Sequence, residues 1–212
     1  MKILQKTALT TAIGTLLLLP GSSLVASERL EDALGSINQL PKKDNPETTQ
    51  DTSKEIVEEE DSNFFICKGC TDTENRILKA LQERGITDKN ALAVILGNIR
   101  QESKFELTIC EGGVRTGYHG CHRGGFGLIQ WTTQGRYDGL GRHAASKGLN
   151  PNTLDAQLSW MFNEREWRSV EHKFKTPGQS SRYYMNAAYR WLGWGVHGAR
   201  SHYATQYLSY LH

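Results

Sequence analysis

Glu102 is the residue whose setting best suits proton transfer. It stands near the end of the stretch ALAVILGNIRQES, residues 91–103. Ile95, Ile99 and Glu102 fall at i, i+4 and i+7, so a helix puts them on one face. Ala91, Leu92, Val94 and Ile95 drive that helix inward. A carboxyl on a buried stripe is costly to ionise, and desolvation holds its proton toward neutral pH. A carboxylic acid that keeps its proton and points into a cleft is a general acid. The same spacing also fits a helix end where Glu102 faces water, so the residues after it decide between the two.

Residues 106–125 form a Gly-rich loop carrying Glu106, Glu111, His119 and His122. Cys110 and Cys121 sit in it, and Cys67 and Cys70 lie upstream. Four cysteines allow three pairings. A Cys110–Cys121 disulfide closes a short loop with little else to hold it, and is the expected staple. Cys67 and Cys70 then pair locally or stay reduced. Zinc is the alternative: the four cysteines with His119 and His122 supply enough ligands. A redox role for Cys67–Cys70 lacks the strand–helix pattern that usually surrounds one. No HExxH motif is present.

The elements that position these groups are mostly helical. Thr71–Glu74 resembles a capping box and Gly85 a stop, giving a first helix. Asp88 caps a second that runs toward Ser103. Phe126–Trp131 is a short apolar strand or turn. A third helix starts at Thr132 or Thr133 and runs toward Lys147, and a fourth is capped by Asn152 or Thr153, with Arg168–Lys175 as its basic continuation. Ser181–Trp191 and His197–Tyr210 read as two final helices joined through Gly193-Trp194-Gly195.

Charge divides the 212-residue chain. Residues 28–62 hold eleven acids against four bases, a net charge of −7, and no aromatic residue. Such a segment cannot bury enough apolar surface to order itself and reads as an acidic, disordered linker. Residues 63–212 carry net +7 and all seven histidines. A basic domain of that size buries a full core and favours an anionic partner: nucleic acid, anionic membrane or cell wall. Residues 1–27 look like an export signal, with Lys2 and Lys6, an apolar run from Ala8 to Leu19, and small residues at Val25-Ala26-Ser27. The run is short for a membrane span, although an uncleaved anchor is the alternative. Export puts the cysteines where disulfides form.

The order GNIRQESKF, loop, GGFGLIQW resembles the phage tail lysozyme family, within the lysozyme-like and lytic transglycosylase group. The similarity rests on Gly97-Asn98, Gln101-Glu102-Ser103, Phe105 and Gly125–Trp131. It continues through Gly135-Arg136, Leu140, Gln157-Leu158 and Glu164. The resemblance implies a mainly α, lysozyme-like fold whose Gly-rich loop and small β element form the cleft wall. It implies cleavage of the β-1,4 bond between N-acetylmuramic acid and N-acetylglucosamine in peptidoglycan, with no metal or cofactor. Glu102 then matches the catalytic acid, Gln130 the cleft glutamine that meets an N-acetyl group, and Ser103 its orienting neighbour. Nucleic acid drops out as a partner, and no stable membrane insertion is expected once the signal is removed. The protein is expected to be secreted or periplasmic, or virion-associated if phage-encoded.

Glycoside hydrolysis usually needs a second carboxylate. Glu111, between helix and wall, is the candidate, with Glu106 as alternative. Without one, Glu102 acts alone as acid then base in a lytic transglycosylase. Gly127 belongs to the cleft wall, and Trp131, Tyr118, Phe126 and Tyr137 could stack on sugars, Phe126 more naturally as core. Tyr189, Trp191 and Trp194 form a far wall or packing, and packing suits Trp191. Arg115, Arg123 and Arg136 could meet peptide-stem carboxylates. Two readings of other classes remain: a wall-binding or virion structural module without chemistry, and a zinc-dependent wall peptidase.

Overall fold

The computed structural model describes residues 64–122 and 124–212. The expected export signal, the acidic linker and Arg123 lie outside the described residues. The described residues form seven helices and one two-stranded sheet. In order these are α1 Asp72–Glu83, α2 Lys89–Ser103, β1 Ile109–Cys110, β2 Val114–Arg115, α3 Gln134–Ser146, α4 Leu154–Asn163, α5 Arg165–Phe174, α6 Ser181–Leu192 and α7 Arg200–Tyr210. The architecture is mainly α and lysozyme-like, as the sequence predicts.

Local chemistry starts the first two helices where it was expected to. The Thr71 hydroxyl accepts the Glu74 N–H at 3.3 Å, and the Glu74 carboxylate accepts the Thr71 N–H at 2.7 Å. Asp88 accepts the N–H groups of Asn90 and Ala91 at 2.8 and 3.1 Å. From there α2 runs through the centre of the domain. Every residue from Ala91 to Ile99 is buried, so the helix is enclosed on all sides, beyond the single apolar face read from its spacing. α7 and α6 pack along it. The approach of α7 depends on Gly97, because a Cβ there would lie 2.5 Å from the Ala204 nitrogen.

Two boundaries differ from expectation. The basic continuation of α4 is a separate helix, α5, because Glu164 adopts an extended backbone (φ −66°, ψ 151°). α7 starts at Arg200, past the expected His197. The Gln101 side chain holds the preceding loop by accepting the Ala199 N–H at 2.8 Å. The β pair lies within the Gly-rich loop, Ile109 opposite Arg115 and Cys110 opposite Val114. Phe126–Trp131 is a turn closed by a single antiparallel bridge between its end residues.

Cys110 is bonded to Cys121 and Cys67 to Cys70. The thiols that the zinc alternative needs are consumed in these disulfides. The segment around Cys67 is clamped by the end of the chain, where Ile66 and His212 exchange two backbone hydrogen bonds at 3.0 Å.

Gly97→Ala should destabilise the domain by about 1–3 kcal/mol, the usual cost of overpacking, as read by urea unfolding. Wild-type stability would show that α7 does not depend on this close approach.

Candidate active site

The turn Phe126–Trp131 is held from several sides. The Leu128 N–H donates to Gln157 Oε1 at 2.8 Å, and the Leu128 carbonyl accepts the Ser103 hydroxyl at 2.7 Å. The Gly127 N–H donates to the Ile109 carbonyl at 2.8 Å. The Gln157 amide also donates to the carbonyls of Leu107 and Pro151, at 2.8 and 3.0 Å. Buried polar groups survive only when paired, and these pairings fix the turn against α2, α4 and β1. Gly127 is required here: its φ is 70°, and a Cβ would lie 2.6 Å from Gln157 Oε1.

The remaining tether is Glu164. Its carboxylate is 1% exposed and accepts four N–H groups. Arg136 donates twice, at 2.8 and 2.7 Å, Trp131 once at 3.1 Å and Trp191 once at 3.0 Å. Burial pushes this carboxyl above the ordinary range, opposed by the Arg136, Trp191 and Trp131 donors. Both oxygens face donors that cannot take up its proton, so Glu164 is a structural acceptor.

Glu102 sits in a different setting at the end of α2. Its side chain is 17% exposed, and one oxygen meets the guanidinium of Arg200, which is 4% exposed. That guanidinium also lies over the Trp194 ring, 4.4 Å from its centroid. Burial pushes the Glu102 carboxyl up, against the pull of Arg200 and then Arg136. Burial also pulls the Arg200 guanidinium down, against Glu102. Both directions say that burial costs this pair more than its contact returns. Glu102 thus gives up its proton less readily than an ordinary glutamate, in a partly open position.

The other expected site residues separate into groups. Ser103 is 2% exposed. It orients, accepting the Phe105 N–H at 3.1 Å while donating to Leu128, and as buried it offers no surface to a substrate. Gln130 is half-buried at a φ of 53°. Its amide nitrogen donates to Gly127 and Ile109 at 2.9 and 3.2 Å, so its carbonyl oxygen is the group left to meet a ligand. Trp131 is fully buried and spends its indole on Glu164, which corrects its expected stacking role. Tyr118 is 8% exposed and stacked on Tyr137 at 4.4 Å, which corrects it too. Phe126 is core.

Glu111 is exposed on the β1–β2 hairpin and packs against Gly125, where an added Cβ would fall 2.7 Å from its own. Glu106 is spent on Arg115 at 2.7 Å, and Arg136 on Glu164, so neither arginine is free for a stem carboxylate. His119 and His122 are exposed. Trp191 is core. Tyr189 and Trp194 instead line an open groove of about 490 Å³ between α6 and α7. Sequence reasoning missed Arg200, one arginine among many, with nothing in its spacing to single it out.

Residues 72–211 match the phage tail lysozyme family. The chain belongs to that family. A phage tail lysozyme is a lysozyme-like cell-wall enzyme, and peptidoglycan is the substrate this membership implies. No curated protein and no solved structure matches the chain. Among the described residues no helix is long and apolar enough to cross a membrane.

Glu164→Gln would leave the half-buried Arg136 guanidinium without its countercharge and turn one donor against another. It should cost about 3–5 kcal/mol of folding stability, seen by thermal unfolding. A loss below about 1 kcal/mol would remove Glu164 from the centre of this site.

Proposed function

We propose that the protein is a muramidase that cleaves the β-1,4 N-acetylmuramic acid–N-acetylglucosamine bond of peptidoglycan, with Glu102 as general acid. The observation that carries this reading is the position of Glu102. It is a half-buried, accessible carboxyl with a raised pKa, on a helix end tied through Ser103 to the turn that presents Gln130. In the reaction the Glu102 proton passes to the glycosidic oxygen as its bond to the sugar breaks. Water attacks the freed carbon, and Glu111 takes that water's proton. The Gln130 carbonyl receives an N-acetyl N–H, and Tyr189 and Trp194 are the aromatic faces open to a sugar.

The pairing of Glu106 with Arg115 favours a second reading, because it removes one of the two candidates for a second carboxylate. Glu102 then works alone, the sugar's own 6-hydroxyl attacks, and the enzyme is a lytic transglycosylase.

Intact peptidoglycan treated with the purified protein and analysed by mass spectrometry separates these readings. Reducing-end muropeptides mean hydrolysis, and anhydro-muropeptides mean transglycosylation. Glu102→Gln should keep the fold and abolish either product, by about a hundredfold or more. Wild-type cleavage by that variant would overturn the proposal, and wall binding without products would favour a structural module. Glu102 must be protonated to act, so activity should persist below its raised pKa and fall as pH rises through it. Arg200→Met removes a cation that pulls that pKa down, so the basic limb of the kcat/KM profile should move to higher pH.

A further inference from the structure

A second groove, of about 650 Å³, lies between the Cys67–Thr71 segment, α2 and α7. Its charged lining is Lys68, Arg100, Lys104 and Glu74, with Tyr203 and Tyr210 beside them. Two stretches of chain supply the cations, and α7 supplies the tyrosines. Lys68 comes from the stretch closed by the Cys67–Cys70 disulfide and clamped by the chain terminus. Arg100 comes from the last turn of α2, and its guanidinium lies over the Tyr203 ring, 4.7 Å from the centroid. Lys104 follows α2 directly. It and Phe105 adopt left-handed backbone, φ 53° and 66°, which non-glycine residues rarely hold in succession. The Ser103 hydroxyl, bonded to the Phe105 N–H, braces this turn.

The charge is unbalanced. Among the described residues none of the three cations forms an ion pair. Glu74 offsets only one of the three cations, which leaves the lining at net +2 (three cations less one carboxylate). One of its oxygens takes the Thr71 N–H and hydroxyl, both at 2.7 Å, and the other takes the Tyr207 hydroxyl. Two residues of helix turn the chain by about 200°. Arg100 and Glu102 therefore point to opposite sides of α2, and the groove is separate from the acid.

We propose that this groove binds a cell-wall phosphodiester polymer, a flexible chain of successive phosphates without bases. Cations drawn from separate stretches match several phosphates better than one ion. The planar Arg100 guanidinium suits a phosphate's paired oxygens, and the two tyrosines add hydroxyl donors. Each phosphodiester carries its charge on two non-bridging oxygens, so a flexible chain of them places one anion after another along the groove. Occupation leaves Glu102 uncovered, so the groove holds the enzyme on a phosphate-bearing wall while the other side of α2 acts on glycan.

The test is binding of a fluorescent poly(glycerol phosphate) to the full chain by anisotropy, across a salt series. Lys68→Glu with Lys104→Glu should weaken binding roughly tenfold or more and flatten its salt dependence. Arg142→Glu with Arg168→Glu makes the same charge change at exposed positions elsewhere and should weaken it far less. Glu102→Gln should bind like wild type, so a failed catalytic reading leaves this result intact. Equal losses in the two double variants would mean that only net charge matters, and would overturn the site. So would displacement of the polymer by inorganic phosphate at matched phosphate and ionic strength, or binding to anionic phospholipid vesicles without binding to the polymer.

Discussion

The Glu164 carboxylate is the constraint on which the site depends. A carboxylate out of water is tolerated only when its oxygens are fully engaged. Here Arg136 from α3, Trp131 from the turn and Trp191 from α6 all converge on it. To reach them the chain must break between α4 and α5, which is why a helix ends where the sequence pattern would carry it on. The break places α3, the turn and α6 around one charge. Gln157, about two helix turns earlier, does the same with a neutral amide, gripping Leu128 and two loop carbonyls. Together they make the turn a rigid wall whose conformation depends on the interior behind it.

The domain thus holds one buried and one half-buried glutamate with different surroundings. Glu164 meets four N–H donors and has no route to solvent. Glu102 meets one guanidinium and keeps a partly open face. Arg200 in turn rests on Trp194, which belongs to the open groove beside α6 and α7. A ligand that moves Trp194 would therefore be felt at the acid through one stacked contact.

What could be read from the sequence follows how local its cause is. Thr71 and Asp88 announce helix starts because a cap is decided within four residues. The Cys110–Cys121 staple was legible because its loop is short and poor in packing. Glu102 was picked out by its spacing and by the motifs around it, and the structure gives it a partly open carboxyl beside Arg200. Trp131, Tyr118 and Arg136 could not be placed from sequence because aromatic rings and arginines near a cleft look alike whether they face in or out. Their partners, Glu164 and Tyr137, decide, and sequence alone did not pair them. Arg200 lies 98 residues from Glu102, and no local pattern links the two. The complete enclosure of α2 was hidden for the same reason, since it depends on α7 meeting Gly97.

The most direct test of the account is a carbon-13 NMR titration of the Glu102 side-chain carboxyl in the folded protein, with Glu102→Gln for assignment. The account predicts a pKa above the ordinary glutamate value, rising further in Arg200→Met. A Glu102 that titrates at or below the ordinary value would contradict it, because the site would then hold a carboxylate where the reaction needs an acid.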